Sequence, residues 1–337
     1  MNEILFATLF VTLGVGAMLL YYFGSNWVLD TLLADRVDAN GSILSSHTNL
    51  RKRIRPWIFV TPALLFLGVY LLYPAVATFY YSFFDANSVE FVGFDNYAWA
   101  INNDGFRQAV LNNVLWILVV PFASTAFGLI IAVLADRVRW ESIAKAFIFM
   151  PMAISFVGAS IIWNFVYDIN PPDTQQIGIL NAAITALGGE PVGWLSQPPV
   201  NNFMLMIILV WIQTGFAMVI LSSALKSVPD ETIEAARIDG ANDVQIFFRV
   251  MIPQIASTLA VVITTILITT LKVFDIVQVM TNGQSDTEVL GNFMFRWMFR
   301  GTGDDGKAAV IAITIMLATV PFLYWNVRRF YREEQLR

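Results

Sequence analysis

Few side chains in this sequence are able to do covalent or metal chemistry. Cysteine is absent, so the chain offers no thiol nucleophile, no disulfide and no zinc–thiolate site. The one histidine, His47, lies in a polar segment, and we interpret it as a solvated linker residue because a metal site needs a cluster of ligands. Charged residues make up only 13% of the 337, against about 25% in a typical soluble chain. The composition predicts a protein whose surface largely avoids water.

Polar side chains inside the longest apolar stretches are the best candidates for binding a solute, because such groups are costly near the middle of a bilayer. One stretch carries Trp211, Gln213, Thr214 and Phe216, and the next carries Thr264, Thr265, Thr269 and Thr270. Hydrogen bonding between helices is the alternative interpretation of the threonines.

Lys272 and Asp275 are the only Lys, Arg, Asp or Glu residues inside an apolar stretch. Their i,i+3 spacing predicts an ion pair on one helix face, turned toward the bundle interior. A substrate contact or a gate is the alternative, and Asn112, Asn113 and Asn164 are equally open to structural or functional interpretation. One carboxylate without an intramembrane histidine excludes aspartyl, metalloprotease and serine chemistry within the membrane.

Seven apolar stretches are long enough to position these groups in a membrane, since a hydrocarbon core about 30 Å thick needs roughly 20 helical residues. They are 4–24, 57–80, 109–135, 146–167, 203–225, 255–278 and 308–327. We therefore expect an all-α membrane protein with an accessory helix at 1–24, a linker at 25–56 and a six-helix core at 57–337. A signal peptide is the alternative for the first stretch, which lacks a basic n-region and a small-residue cleavage pattern.

The basic residues predict the orientation of the chain. Fifteen of the 20 fall in four segments on one side of the membrane: Arg36, Arg51, Lys52, Arg53 and Arg55; Arg137, Arg139 and Lys145; Lys226, Arg237 and Arg249; Arg328, Arg329, Arg332 and Arg337. The opposite side has Arg107, Arg296, Arg300 and Lys307. The positive-inside rule therefore predicts a cytoplasmic linker, a cytoplasmic C-terminus and an N-terminus outside.

The cytoplasmic loop 227–253 contains signals for two short helices. Ser227 and Asp230 have capping-box spacing, and Pro229 fits the first helical turn. Gly240 offers a C-terminal break, and a second helix should end before Pro253. The expected helices are 228–238 and 241–251.

Small and aromatic residues in the 227–253 loop favour close contact with other surfaces. Ala235 and Ala236 let a partner approach the backbone, and Phe247 and Phe248 are placed to anchor the second helix against the bundle. On spacing alone, a loop that merely connects two spans explains the pattern equally well.

The same loop resembles the EAA signature of ABC-importer permeases, EAA-x3-G-x9-I-x-L-P. The matching residues are Glu234, Ala235, Ala236, Gly240, Val250, Ile252 and Pro253, with Val for Ile and Ile for Leu as the departures. In that family the loop docks into a cleft on the ATPase subunit. The resemblance implies a type I ABC importer fold, with its transmembrane domain at 109–327. It also implies that nucleotide-driven motion is transmitted through Glu234, Ala235, Ala236, Asp239 and Gly240.

The ATPase is expected on another chain. No G-x4-G-K-[ST] phosphate loop occurs, and Gly306-Lys307 is followed by Ala308 without the upstream glycine. The resemblance implies an ATP-binding cassette ATPase dimer that carries ATP and magnesium, a second homologous permease and an extracytoplasmic solute-binding protein, with no cofactor on this chain and no nucleic acid partner. The outer segment 168–202 lacks Lys and Arg, and its prolines favour a rigid lobe: Pro171, Pro172, Pro191, Pro198 and Pro199. We expect the solute-binding protein to dock on this segment and on 280–307.

A further resemblance, to the maltose/glycerol-phosphate group, covers nearly the whole chain. It is carried by Pro62, Tyr73-Pro74, Ser82-Phe83, Phe91-x-Gly93-Phe94-Asp95-Asn96-Tyr97, Gly178-x-x-Asn181 and Thr281-Asn282-Gly283, where Gln284 replaces a glycine. The stretches PMAISFVGASIIWNFVYD and LKVFDIVQVMTNGQ resemble the first permease subunit of α-glucoside transporters. This resemblance implies a sucrose-, maltose-, trehalose- or glucosylglycerol-like solute.

Alignment with the maltose-transporting relatives through the EAA loop places the sugar contacts at Gln213, Phe216, Ile266, Thr269 and Thr270, and we add Trp211 as a neighbouring aromatic residue. Amides and hydroxyls suit the hydroxyl edges of a sugar, and aromatic rings suit its C–H faces. Only Phe216 keeps the maltose pattern. An ion-coupled secondary transporter and a permease for glycerol phosphate are the alternative functions.

Overall fold

The computed structural model describes residues 2–34, 36–37, 43–45, 47–136, 138–171, 173–300 and 303–335. Arg137, Pro172 and Arg337, which enter the sequence argument, lie outside these ranges. The chain divides into two compact units, Met1–Ala77 and Thr78–Arg337.

The first unit is a pair of long apolar helices. Its elements are α1 (Asn2–Leu32), β1 (Arg36–Val37), β2 (Ile43–Ser45), α2 (Thr48–Leu67), a π-helical turn (Gly68–Leu72) and the start of α3 (Tyr73–Tyr81). The Tyr21 hydroxyl donates to the Ile58 carbonyl at 2.9 Å, and Asp30 pairs with Arg55. Other side chains of α1, among them Leu20 and Phe23, are largely exposed, as is typical of surfaces that face lipid.

The helices of the first unit extend past the expected boundaries. α1 continues beyond residue 24 to Leu32, and α2 begins at Thr48, ahead of residue 57. The segment expected to be a linker therefore contains two helix ends and a short antiparallel ribbon of β1 and β2. Our boundaries were set by the thickness of the hydrocarbon core, whereas a helix ends where capping and turn residues end it.

The second unit is built from helices, which here continue the numbering from α3. They are α4 (Asp95–Asn102), α5 (Asp104–Ala135), α6 (Glu141–Phe149), a 3₁₀ turn (Met150–Ala153), α7 (Phe156–Tyr167), α8 (Ile179–Ala186), α9 (Val200–Lys226), α10 (Asp230–Ile238), α11 (Asp243–Ile246), a π-helical turn (Phe247–Met251), α12 (Ile252–Gln254), α13 (Ala256–Leu271), α14 (Asp275–Met280), α15 (Leu290–Phe299) and α16 (Asp305–Gln335).

Within the described ranges, five helices are long and apolar enough to span a membrane, and two bent helix pairs bring the number to seven. α6 with its 3₁₀ turn meets α7 at 104°, and the Asp243–Gln254 helix meets α13 at 71°. The expected span at 146–167 is therefore not a single straight helix, and the one at 255–278 is interrupted where α13 ends at Leu271 and α14 begins at Asp275. The 71° bend falls at Ile255. Pro253 therefore lies inside α12, whereas we had expected the second loop helix to end before it.

The core of the second unit is the packing of α5 against α9. A Cβ on Gly128 of α5 would lie 2.5 Å from the Ala217 Cβ and 2.8 Å from the Met218 backbone nitrogen. Small residues let membrane helices approach closely, and that approach strengthens their van der Waals packing. α9 is the central helix, because most of its side chains, such as Leu205 and Leu221, are buried.

Candidate functional site

The 227–253 loop is organised around a sharp turn at Gly240. α10 ends at Ile238, and Gly240 adopts a left-handed backbone with a φ of 84°. Its N–H donates to the Arg237 carbonyl, and the Ala241 N–H donates to the Ala236 carbonyl, each at 3.0 Å. These two bonds form a Schellman motif, which satisfies free carbonyls at a helix end. The predicted break is confirmed. Glycine is needed here for its left-handed backbone and not for space, since nothing lies within 4 Å of an added Cβ.

The capping box of this loop lies elsewhere than predicted. The Ser227 hydroxyl donates to the Ala224 carbonyl at the end of α9, so it does not cap α10, whose N-cap is Pro229. The capping box instead joins Asn242 and Gln245 at the start of α11, with bonds of 2.9 and 3.0 Å. Ser227 still lies within reach of the last turn of α9, where unpaired carbonyls attract its hydroxyl.

The five residues predicted to transmit nucleotide-driven motion face outward. Four of them are exposed and one is half-buried: Glu234, Ala235, Asp239 and Gly240, and then Ala236. Ile233 and Phe247 turn the other way and pack against the core. Phe248 is 64% exposed, so the prediction that both phenylalanines anchor the loop is wrong for this one. The loop thus presents a rigid turn whose signature residues are accessible.

An ion cluster joins three helices beside the loop. Lys145 of α6 pairs with Asp136 at 2.5 Å and with Glu141 at 2.6 Å, and its ammonium also bonds to the Ser222 hydroxyl. Lys226 at the end of α9 pairs with Glu141. The side chains of Lys145 and Asp136 are only 17% and 19% exposed. This cluster was not predicted, because Lys145 and Lys226 were interpreted only as orientation signals, although the i,i+4 spacing of Glu141 and Lys145 indicates a pair.

A cleft of about 370 Å³ opens between α9, α13 and the bent α6–α7 segment. It is lined by Met152, Ile154, Ser155, Phe156, Ile212, Gln213, Phe216, Thr265 and Thr269. Gln213 is 8% exposed, and its amide makes no hydrogen bond within the described part of the chain. The Thr265 and Thr269 hydroxyls donate to carbonyls one turn back in α13, so each oxygen still accepts. The structure thus brings together Gln213, Phe216 and Thr269.

The other three predicted contacts lie outside this cleft. Trp211 packs edge-on against Trp163, with ring centroids 5.8 Å apart. Ile266 and Thr270 are fully buried, and the Thr270 hydroxyl donates to the Ile266 carbonyl. Residues 266 and 270 share one face of α13, whereas 265 and 269 are rotated about 100° away. The sugar contacts were predicted from an alignment and from polar and aromatic residues within two spans, and the structure places only half of them in the cleft.

The bend between α6 and α7 supplies four of the cleft residues, and none of them was predicted. The Ser155 hydroxyl accepts the Gly158 N–H and caps α7. Gly215 of α9 makes room for the bend, because a Cβ there would lie 2.6 Å from the Ile148 carbonyl oxygen. Pro151 followed by a serine cap was the available sequence signal for a helix break.

Lys272 and Asp275 do not form the predicted ion pair. No salt bridge joins them in the structure, and Lys272 is exposed. α13 ends at Leu271 and α14 begins at Asp275, so the two residues flank a helix break instead of sharing one face. The i,i+3 argument holds only within a continuous helix. Among the described residues, no three His, Asp or Glu side chains converge to hold a metal ion.

At the membrane side opposite the 227–253 loop, buried asparagines hold the segment 281–290. The Asn112 amide donates to the Asp286 and Glu288 carbonyls, and the Asn113 amide oxygen accepts the Leu290 N–H. From α9, Asn202 donates to the Asp286 carbonyl and Asn201 to the Ser285 carbonyl. Asn112 and Asn113 therefore have a structural role here. Burial raises the pKa of the Glu288 carboxyl in this segment, although Asn292 and Arg296 oppose the rise.

The comparisons with known proteins agree with this architecture. Residues 124–329 match the family described as binding-protein-dependent transport system inner membrane component. Over 333 residues the chain is 54% identical to the alpha-glucoside transport system permease protein AglF of Rhizobium meliloti (strain 1021), covering 99% of each. The chain belongs to this family of transport permeases.

The permease is also 54% identical over 280 residues to the osmoprotective compounds uptake permease protein GgtC of Synechocystis, covering 83% of this chain and 100% of the relative. Its fold matches a chain of a bacterial ABC transporter involved in the import of the acidic polysaccharide alginate, with a TM-score of 0.71 at 19% identity, covering 84% of this chain and 99% of that chain. The predicted all-α, type I ABC importer fold is confirmed, and the permease is a multi-pass inner-membrane protein.

Proposed function

We propose that this permease is the membrane-spanning subunit of an ATP-driven importer for a small neutral glucoside. The 54% identity over nearly the full chain to a permease named for α-glucoside transport carries this proposal. The sucrose-, maltose-, trehalose- and glucosylglycerol-like solutes remain the candidate class. The cleft supports a solute of this class, because an unpaired amide, hydroxyl oxygens and the Phe216 ring line it without any charged side chain.

The motor is proposed to be a separate ATPase dimer that carries ATP and magnesium and docks on the 227–253 loop. The exposed, rigidly capped turn at Glu234–Gly240 supports this role, since a preorganised surface loses little entropy on docking. The ion cluster around Lys145 connects the ends of α5, α6 and α9 beside the loop. Motion of the loop would reach the cleft through α9, which carries Gln213 and Phe216 of the cleft and ends at Lys226, directly before the loop.

The basic segments support a cytoplasmic C-terminus and an outside N-terminus, as the positive-inside rule predicts. A second, homologous permease completes the pore in this proposal, and an extracytoplasmic solute-binding protein docks on 168–202 and 280–307. Crosslinking of the binding protein that never reaches either segment would contradict the docking surface.

Uptake by proteoliposomes that contain the assembled transporter tests the function. Labelled maltose, sucrose or trehalose should accumulate when ATP is enclosed, and collapse of the proton gradient should leave uptake unchanged. Uptake that follows the proton gradient without ATP would support the secondary-transporter alternative instead.

Two adjacent residues test the cleft. Thr269→Val removes a hydroxyl that lines the cleft and should raise the half-saturating sugar concentration about 2- to 10-fold, the value of one hydrogen bond. Thr270→Val is the matched control, because Thr270 is fully buried on the other face of α13. Gln213→Ala should act like Thr269→Val. Unchanged affinity in Gln213→Ala would remove Gln213 from the site.

A further inference from the structure

A second pocket lies at the end of the second unit opposite the 227–253 loop. It has a volume of about 310 Å³ and lies between the C-terminal end of α7, the segment 193–196 and the turn that follows α14. α9 runs from this end, at Val200, to the loop at Lys226, so the two sites are on opposite membrane sides. In the proposed orientation this pocket opens to the outside.

One wall of this outer pocket is held by a single buried asparagine. Asn181 is fully buried, and its amide donates to the Asp168 and Val192 carbonyls at 2.9 and 3.1 Å. Its oxygen accepts the Val192 N–H at 2.9 Å. A Cβ on Gly178 would lie 2.2 Å from the Asp168 carbonyl oxygen, so only glycine allows this approach. The Gly178-x-x-Asn181 motif therefore fixes the backbone beside Asp168 and Trp194.

The facing wall is the turn 281–285. Asn201 of α9 donates to the Ser285 carbonyl of this turn. Asn112 of α5 and Asn202 of α9 donate to the next carbonyl, that of Asp286. Asn282 and Ser285 both adopt left-handed backbones in this turn, with φ values of 54° and 53°. Such conformations persist only where surrounding contacts enforce them. Both walls are thus preorganised, and they lie in the segments 168–202 and 280–307 on which the solute-binding protein is proposed to dock.

Several polar groups of the pocket have no partner of their own. The Trp194 indole N–H is buried and finds no hydrogen-bond acceptor among the residues that the structure describes. Within the described part of the chain, the half-buried Asp168 carboxylate makes no hydrogen bond or ion pair, while the neighbouring Tyr167 hydroxyl is engaged with the Met204 carbonyl. The side chains of Asn164 and Gln284 also make none, but both are exposed and reach water. A buried donor without an acceptor costs free energy unless a ligand or water supplies one.

The geometry points to the outer pocket as a transient binding site for one ring of a neutral, polyhydroxylated solute on its way to the inner cleft. Each hydroxyl of such a solute both donates and accepts, so it can accept from the Trp194 N–H and donate to the Asp168 carboxylate. The side-chain amides of Asn164 and Gln284 can donate to a hydroxyl oxygen or accept from a hydroxyl hydrogen. The unpaired Asp168 disfavours an anionic solute, and the pocket volume is at the small end of ligand clefts. This inference rests on the proposed import of a sugar.

The absence of native cysteine makes occupancy of the pocket measurable. Ser285→Cys places one thiol on the pocket wall, and Asp173→Cys places one on an exposed part of the same side, outside the pocket. The full chain, assembled with its partner subunits but without binding protein, is treated with N-ethylmaleimide while maltose, sucrose or trehalose is raised. Sugar should slow modification at Ser285→Cys saturably and leave Asp173→Cys unchanged.

Second substitutions test which groups bind. Adding Asn164→Ala to Ser285→Cys should raise the half-protecting sugar concentration about 2- to 10-fold. Adding Gln213→Ala, a change at the inner cleft, should leave that concentration unchanged. Glucuronate should protect less than glucose, and Asp168→Asn should remove the difference. Equal protection by both sugars in the unmodified pocket would overturn the role of Asp168.

A third thiol separates this inference from the proposed function. Thr265→Cys reports on the inner cleft. Protection at Thr265→Cys without protection at Ser285→Cys overturns the outer site and leaves sugar import standing. Failure of protection at both positions, together with failure of ATP-dependent sugar uptake, overturns the proposed function and this inference with it.

Discussion

Gly215→Ala tests whether the bent segment presses on α9 as the structure shows. The added Cβ would lie 2.6 Å from the Ile148 carbonyl oxygen and 2.9 Å from the Phe149 Cα. Both are backbone atoms, which cannot rotate away as a side chain can, and comfortable carbon contacts are about 3.5–4.0 Å. The bent segment must therefore move from α9 by roughly 0.5–1 Å. Because Met152 of that segment and Gln213 of α9 both line the cleft, the change should also alter its shape.

The free energy of this change has two opposing parts. Overpacking costs about 1–3 kcal/mol, and replacing glycine by alanine in a helix returns up to about 1 kcal/mol. The net expectation is a loss of about 1–2 kcal/mol of stability, with the thermal unfolding temperature of the purified transporter falling by a few degrees. The half-saturating sugar concentration for uptake should rise about 3- to 10-fold through weakened hydrogen bonding.

Gly16→Ala is the matched control, because Gly16 is also helical and an added Cβ meets nothing within 4 Å. Gly16→Ala should therefore show only the gain in helix propensity, up to about 1 kcal/mol of added stability, without any overpacking cost. If Gly215→Ala unfolds at the same temperature as Gly16→Ala and takes up sugar with unchanged affinity, the reasoning that α9 supports the bend is refuted.

Three further substitutions probe the rest of the assembly. Gly240→Ala forces a left-handed backbone on alanine, costing about 1–2 kcal/mol locally, and should reduce transport-coupled ATP hydrolysis without preventing membrane insertion. Lys145→Met removes one partner of the Asp136 and Glu141 carboxylates, which are poorly exposed, and should lower the stability measured by thermal unfolding by about 1–3 kcal/mol. The control Arg107→Met breaks an exposed pair and should change stability by less than about 1 kcal/mol. Asn112→Ala leaves the Glu288 carbonyl unpaired and removes one of the bonds to the Asp286 carbonyl, which keeps the Asn202 amide, so limited proteolysis of the 281–290 segment should accelerate severalfold. Asn102→Ala, at an exposed helix end, should not change the rate of proteolysis there.

The two breaks in the spanning helices show where sequence patterns stop being informative. Hydrophobic length correctly located the membrane-spanning stretches but could not distinguish a straight helix from one bent by 104° at the 3₁₀ turn. The bend depends on Gly215, which is far away in the sequence and provides the space. The predicted pairing of Lys272 with Asp275 is wrong because helical periodicity assumes a continuous helix, whereas α13 ends at Leu271 and α14 begins at Asp275.

The predicted solute contacts divide in a similar way. Gln213 and Thr269 line the cleft, whereas Thr270 is buried on another face of the same helix. Adjacent residues of a helix point about 100° apart, and only packing decides which face meets the cleft. The roles of Gln213 in solute binding and of Glu234 in coupling stay predictions, which uptake and ATP hydrolysis measurements can test.

What the sequence determined by itself is the membrane character of the chain, its family and the turn at Gly240. These follow from local properties: the length of apolar runs, a signature with fixed gaps, and a backbone conformation that glycine adopts at little cost. What the tertiary structure decided is every feature built from distant residues, including the cleft beside Gln213, the ion cluster around Lys145 and the asparagine-held outer pocket. Those features depend on which helix faces meet, and that is settled by close packing of small residues such as Gly128 and Gly215 rather than by any local pattern.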